Sequence, residues 1–224
     1  MDELHFSDAP RIQNSVFSRI EAQLLGWFAA RIPKCINSDH LTALGFAAMM
    51  GACTAYVLSE HDKRFLHLVN VFVLLNWLGD SLDGTLARYR NRLRPRYGFY
   101  VDHILDTFSM LLLIGGLAMS KYMSLSVAGV LLVTYFMLCI NVYLATYTLG
   151  TFRISFGKFS PTEMRLLLAI GNLVLLHRPV VHLLGSQFLL FDVGGTVAAA
   201  LMGFVLVSST VLNIQFLYRL ERLT

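Results

Sequence analysis

Charge is scarce in this chain. Only 14% of its 224 residues are Asp, Glu, Lys or Arg, whereas a soluble domain usually carries about 25%. That argues against an ordinary water-soluble globule. Cysteine is scarcer: Cys35, Cys53 and Cys139 form an odd set with no C-x-x-C pair. This argues against a disulfide framework or a dithiol centre, and Cys53 and Cys139 read as small hydrophobes within apolar segments. No basic run is interleaved with aromatics as single-strand binders require, so no nucleic-acid partner is expected. The first fifteen residues are polar and mixed in charge, without the basic-then-apolar order of a cleaved signal peptide. Internal repeats and low-complexity tracts are absent, which leaves one unit over residues 1–224.

What is present is hydrophobicity, at 56% of residues. A spanning helix needs about 20 mostly apolar residues. Six stretches come close: about 40–60, 65–88, 99–119, 123–150, 161–178 and 194–218. The expected fold is therefore an all-α integral membrane protein, a six-helix bundle over 40–218. Ahead of it, residues 14–32 carry Val16, Ile20, Leu24, Leu25 and Phe28 at helical spacing, interrupted by Arg19, Glu21 and Arg31. This segment reads as an amphipathic juxtamembrane helix. Pro33 ends it, and Ser38 or Asp39 is expected to cap the first span. The apolar stretch from Val180 to Phe191 is too short to span and is placed at the outer surface.

Basic residues set the orientation. With a cytoplasmic N-terminus, the inside collects Arg11, Arg19, Arg31, Lys34, the five arginines from 88 to 96, Arg153, Lys158, Arg165, Arg219 and Arg222. The outside keeps only Lys63, Arg64, Lys121 and Arg178. Both termini are therefore expected in the cytoplasm. Arg90, Arg92, Arg94 and Arg96 read as topology determinants that also attract anionic head groups of membrane lipids.

Four carboxylates break the apolar pattern. Asp80 and Asp83 lie three apart at the end of one apolar run; Asp102 and Asp106 lie four apart at the start of the next. Each pair falls on one helix face. Charges at membrane depth are costly and read as functional, and four together repel unless cations sit between them. Two facing carboxylate pairs offer an all-oxygen site for hard cations. Two cations held close together recur in phosphoryl chemistry. Gly84 follows Asp83, Ala87 lies one turn on, and Gly98 lies one turn before Asp102. Such a smooth surface suits a flat base or a pyrophosphate, with Arg88 in reach of a phosphate. The metal-bearing face is then cytoplasmic, where nucleotide-activated substrates are found.

The pattern D-x2-D-G-x2-A-R-x9-G-x3-D-x3-D, formed by Asp80, Asp83, Gly84, Ala87, Arg88, Gly98, Asp102 and Asp106, resembles the signature of the CDP-alcohol phosphotransferase family. Every fixed position is present, although outside the second and third spans the resemblance is weak in detail. It implies six membrane helices, a juxtamembrane helix and a homodimer. It also implies transfer of a phospho-alcohol from a CDP-alcohol donor to a lipid or small polar alcohol acceptor, with release of CMP. By resemblance, Asp80, Asp83 and Asp102 hold two Mg2+ or Mn2+ ions. Asp106 lies near the second ion and is the candidate base for the acceptor hydroxyl. Gly84, Ala87 and Gly98 line the cytidine pocket, with Thr42 near the nucleotide.

Two details bear on the branch. His103 gives D-H-x-x-D, similar to the D-H-G-x-D of choline and ethanolamine phosphotransferases, with Ile104 in place of the glycine. His103 is thus a catalytic or acceptor-binding candidate. Pro161-Thr162-Glu163 resembles a run in the same enzymes, which makes Glu163 and Arg165 candidates for contact with a head group or phosphate. Ser160 with Glu163 also fits a capping box. Arg153 and Lys158 are candidates for a substrate phosphate, as basic residues are in the inositol-phosphate branch, which nothing else in the chain favours. The chain's compact length favours CDP-diacylglycerol as donor, and D-H-x-x-D favours a CDP-amino alcohol; both stay open. Two rival classes are a transporter, which would show repeats and interrupted helices, and a non-catalytic scaffold, which would have lost an aspartate.

Overall fold

The computed structural model describes residues 18–149, 161–183 and 185–222. In chain order these form α1 (Ser18–Ala29), α2 (Ser38–Leu58), α3 (Phe65–Tyr89), α4 (Pro95–Ala118), α5 (Leu125–Leu149), α6 (Pro161–Leu175), β1 (Val180–Leu183), β2 (Ser186–Leu189) and α7 (Leu190–Leu220). Five of them, α2, α3, α4, α5 and α7, are long and apolar enough to cross a membrane. That marks an integral membrane protein. The segment expected as the remaining span, 161–178, is helical over the 15 residues of α6. At about 1.5 Å per residue this is about 22 Å, short of a typical span. The N-terminal amphipathic segment is helical from Ser18; its residues before 18, and Arg153, Lys158 and Ser160, lie outside the described residues.

The short apolar stretch after α6 is a β-hairpin, which the all-α expectation did not include. Val180 pairs with Leu189 and Leu183 with Ser186, and Gly185 takes a positive φ of 81° in the turn. The first span is capped by Asn37, one residue earlier than expected. The Asn37 amide donates to His40 Nδ1 at 3.0 Å. Pro95 opens α4 at a position where a missing N–H costs nothing.

α2 is the central helix. Both α3 and α4 pack mainly on it rather than on each other, while α5 and α7 pair separately. Small residues allow the close approach. A Cβ on Gly79 would sit 2.6 Å from the Leu41 carbonyl oxygen, and one on Gly116 would sit 2.7 Å from Cys53 Cα. The larger core lies toward the hairpin end and includes the fully buried Tyr56, Leu66, Val69, Leu117, Tyr122 and Leu175. A smaller cluster at the other end joins Leu25 and Ala29 of α1 to Leu41, Leu82 and Leu86.

Polar bonds set the path of α6. Asn172 is fully buried; its Nδ2 donates to Asn70 Oδ1 at 2.8 Å and its Oδ1 accepts from the Tyr56 hydroxyl at 2.8 Å. Asn70 Nδ2 donates to the Ala169 carbonyl at 3.1 Å. At the opposite end Arg165 reaches Asp80. α6 therefore runs antiparallel to α3, from the level of Asp80 to that of Asn70.

Two arginines read as lipid-facing topology signals have internal partners. Arg90 donates to the carbonyls of Ile36 at 2.6 Å, Ile32 at 2.9 Å and Pro33 at 3.0 Å, tying the α1–α2 link to the end of α3. Arg94 pairs with Asp39 and lies 4.2 Å from the Tyr97 ring centre.

Candidate metal and nucleotide site

The aspartates reach one place because α3 ends, and α4 begins, at the same end of α2. Ligand atoms of Asp80, Asp102 and Asp106 all lie within 4.8 Å of one another. With Asp83 they border a pocket whose remaining wall is Thr42, Gly45, Phe46, Asn76, Leu105 and Ser109. α2 thus floors the space between the two acidic helices. The spacing of the aspartates indicated the facing pairs but not this floor.

Asp83 lines the same pocket, outside the 4.8 Å cluster of the other three. Its Oδ2 accepts from the Thr42 hydroxyl at 2.6 Å. Thr42 therefore touches an acidic group directly; the same hydroxyl lies 3.1 Å from the Ser38 carbonyl. Asp80 Oδ2 accepts from Arg165 Nη2 at 2.7 Å, with side chains 27% and 20% exposed. Three carboxylates in so small a space repel one another, and Arg165 relieves part of that charge. An all-oxygen carboxylate set of this kind matches the ligand preference of Mg2+ or Mn2+, so the donor chemistry fits a divalent cation.

The glycines of the motif behave differently from those of the packing seams. Among the described residues, a Cβ on Gly98 would meet nothing within 4 Å, and one on Gly84 would meet only the Arg88 guanidinium at 3.8 Å. No neighbouring helix among the described residues explains their smallness. Ala87 lies on the same α3 segment, one turn beyond Asp83, and Arg88 Nη2 lies 3.4 Å from the Thr85 hydroxyl.

His103 stands outside the pocket wall. Its Nδ1 lies 2.6 Å from the Phe99 carbonyl, which only accepts, so Nδ1 carries the proton. The ring stacks on Phe99 at 4.2 Å and meets Tyr143 of α5 edge-on at 5.3 Å. Sequence reasoning missed Asn76, whose Nδ2 donates to the Gly45 carbonyl at 3.1 Å. A polar residue one turn before Asp80 in an apolar run was the available signal. It also missed Glu21, taken only as an interruption of an amphipathic stretch.

The family model for CDP-alcohol phosphatidyltransferase matches residues 36–212, from the cap of α2 through most of α7. The chain belongs to the CDP-alcohol phosphatidyltransferase family. No curated protein matches it. As a family member it is a membrane transferase of phospholipid synthesis, of the type that moves a phospho-alcohol from a CDP-alcohol. The family generally depends on divalent metal, and the Asp80–Asp102–Asp106 cluster is the place where this CDP-alcohol phosphatidyltransferase offers ligands for one.

Proposed function

We propose that this chain is an active CDP-alcohol phosphotransferase whose reaction takes place between α3 and α4 at the cytoplasmic face. The carrying observation is the meeting of Asp80, Asp102 and Asp106 within 4.8 Å in a pocket that Asp83 and Thr42 complete. Asp80, Asp83, Asp102 and Asp106 would hold two Mg2+ or Mn2+ ions. Bound there, the ions would neutralise the donor's phosphates and stabilise the leaving oxygen.

The chain's own groups do the rest. The open backbone at Gly84, Ala87 and Gly98 receives the cytidine, and Arg88 takes a donor phosphate. Thr42 fixes the rotamer of Asp83. The acceptor hydroxyl attacks the β-phosphorus of the CDP-alcohol, its proton passes to the Asp106 carboxylate, and the bond from the β-phosphorus to the bridging oxygen breaks. That oxygen leaves with CMP, and a phosphodiester forms. His103, held by Phe99 and Tyr143, orients the acceptor from the α5 side.

The architecture proposed with this reading has six crossings and a juxtamembrane α1. The antiparallel run of α6 along α3 supports the sixth crossing. It returns the end of α7 to the aspartate side, and the fourteen-to-four division of basic residues supports a cytoplasmic location for that side. Residues 1–224 act as one domain, and the working unit is the homodimer that the resemblance implies.

The test is CMP release by the purified protein in lipid, with CDP-diacylglycerol or CDP-amino alcohols against small polar alcohols or diacylglycerol. Metal-dependent release with one pair, lost on chelation and in Asp106→Asn, is the expected result and names donor and acceptor. Absence of both CMP release and CDP-alcohol binding in the folded protein would overturn the reading.

A further inference from the structure

One carboxylate outside the acidic pocket gathers three helices. Glu21 Oε1, on α1, accepts from Trp77 Nε1 at 3.0 Å and from the Ser81 hydroxyl at 3.4 Å, both on α3. The same oxygen accepts from the Thr162 hydroxyl, on α6, at 3.1 Å. Ser81 is the neighbour of Asp80, and Thr162 lies one turn before Arg165. The bonds therefore straddle the Arg165–Asp80 pair from the α1 side. Leu25 and Ala29 on α1 are buried against Leu41, Leu82 and Leu86, which fixes the helix below Glu21.

We propose that Glu21 is a positioning residue, which holds the start of α6 against α3 so that Arg165 stays on Asp80. The proposal rests on the reading of Asp80 as a metal ligand. α6 begins at Pro161, a first helical position where the missing N–H costs nothing. Thr162 supplies a side-chain anchor, and Glu21 is the acceptor it reaches. Leu24, Trp27 and Phe28 of the same α1 are exposed. The seat of α1 on its apolar surroundings is thereby linked, through one carboxylate, to the charge balance of the acidic pocket.

Only acceptor capacity is needed at Oε1, so Glu21→Gln should preserve the arrangement and Glu21→Ala should release it. Mn2+ alone is titrated into the metal-free protein in lipid nanodiscs, for wild type, E21Q, E21A, R165Q and E21A/R165Q. Arg165 competes with a cation for Asp80, so E21A and R165Q should each tighten Mn2+ binding by about fivefold or more, while the double variant stays within about twofold of R165Q alone. E21Q should match wild type. Trp77 emission, read on a Trp27→Phe background, should shift in E21A and not in E21Q. Wild-type Mn2+ affinity in E21A, or additive effects in the double variant, would overturn the proposal. Should E21A fail to fold, Thr162→Val replaces it: a smaller tightening, absent when Arg165 is also Gln, supports the proposal, and an unchanged affinity overturns it.

CMP release is not part of this readout, so failure of the transfer reaction leaves it intact. If no form binds Mn2+, the metal reading falls. Melting temperatures of the same proteins then decide the positioning: less-than-additive losses for E21A and R165Q support it, and additive losses end it.

Discussion

Arg165 and Asp80 meet at 2.7 Å across the α6–α3 seam, with the guanidinium on the oxygen-rich pocket where a divalent cation would bind. The two cations compete for one carboxylate. Arg165→Gln should tighten Mn2+ binding roughly tenfold, about 1.4 kcal/mol, measured by titration of the metal-free protein. It should also lower the melting temperature of that metal-free protein, because the clustered carboxylates lose their counter-charge. Arg165→Lys keeps the charge without the planar fork and should fall between the two. Unaltered metal affinity in Arg165→Gln would show that the pair does not guard the site.

Cys35 offers a test of sidedness that requires no substitution. It is exposed in the α1–α2 link, where Arg90 binds the carbonyls of Ile32, Pro33 and Ile36 beside the end of α3. Cys53 and Cys139 are half-buried within the membrane-spanning helices α2 and α5. A membrane-impermeant maleimide should label one thiol in inside-out vesicles and none in right-side-out vesicles. The reverse pattern would put the aspartates on the outer face.

The helices and the aspartates were legible because each leaves a local mark. Apolar runs gave the positions of α2 to α7 to within a few residues, and the three- and four-residue spacing of the aspartates gave their shared faces. Long-range choices left no such mark. Nothing near Asp80 shows that Arg165, eighty-five positions on, closes over it. The turn of Asp83 toward Thr42 depends on how α2 lies between α3 and α4. The short hairpin at 180–189 was unreadable as strand, because a short apolar run has no period long enough to separate strand from helix. The internal bonds of Arg90 and Arg94 were hidden for another reason: a basic residue near a helix end satisfies topology rules whether or not it also has a partner in the fold.

The Asn172 network makes a stability prediction. Tyr56 and Asn172 are fully buried, and the Tyr56 hydroxyl donates to Asn172 Oδ1. Asn172→Leu removes that acceptor and the donor that serves Asn70 Oδ1. A buried polar group left without a partner costs about 1–3 kcal/mol. The melting temperature should fall, and α6 should become more accessible to hydrogen exchange. Asn172→Asp would set a buried carboxylate against Asn70 Oδ1, so its loss should be at least as large. Equal melting temperatures for wild type and Asn172→Leu would mean that α6 is not held by these bonds.

The glycines separate packing from ligand contact. Gly79 and Gly84 lie on one helix, yet a Cβ at the first would sit 2.6 Å from the Leu41 carbonyl oxygen, whereas at the second it meets nothing nearer than 3.8 Å among the described residues. Gly79→Ala must push α2 and α3 apart, and it should reduce folded yield and melting temperature. Gly84→Ala and Gly98→Ala have room for the methyl group, and each removes a helix-interior glycine that costs about 1 kcal/mol relative to alanine. Both should leave the melting temperature equal or higher. If the cytidine rests on this surface, both should nonetheless weaken donor binding, raising KM for the CDP-alcohol by roughly tenfold, about 1.4 kcal/mol. A more stable protein with poorer donor binding is an outcome that helix packing alone does not produce. A more stable protein with unchanged KM would move the nucleotide away from Gly84 and Gly98.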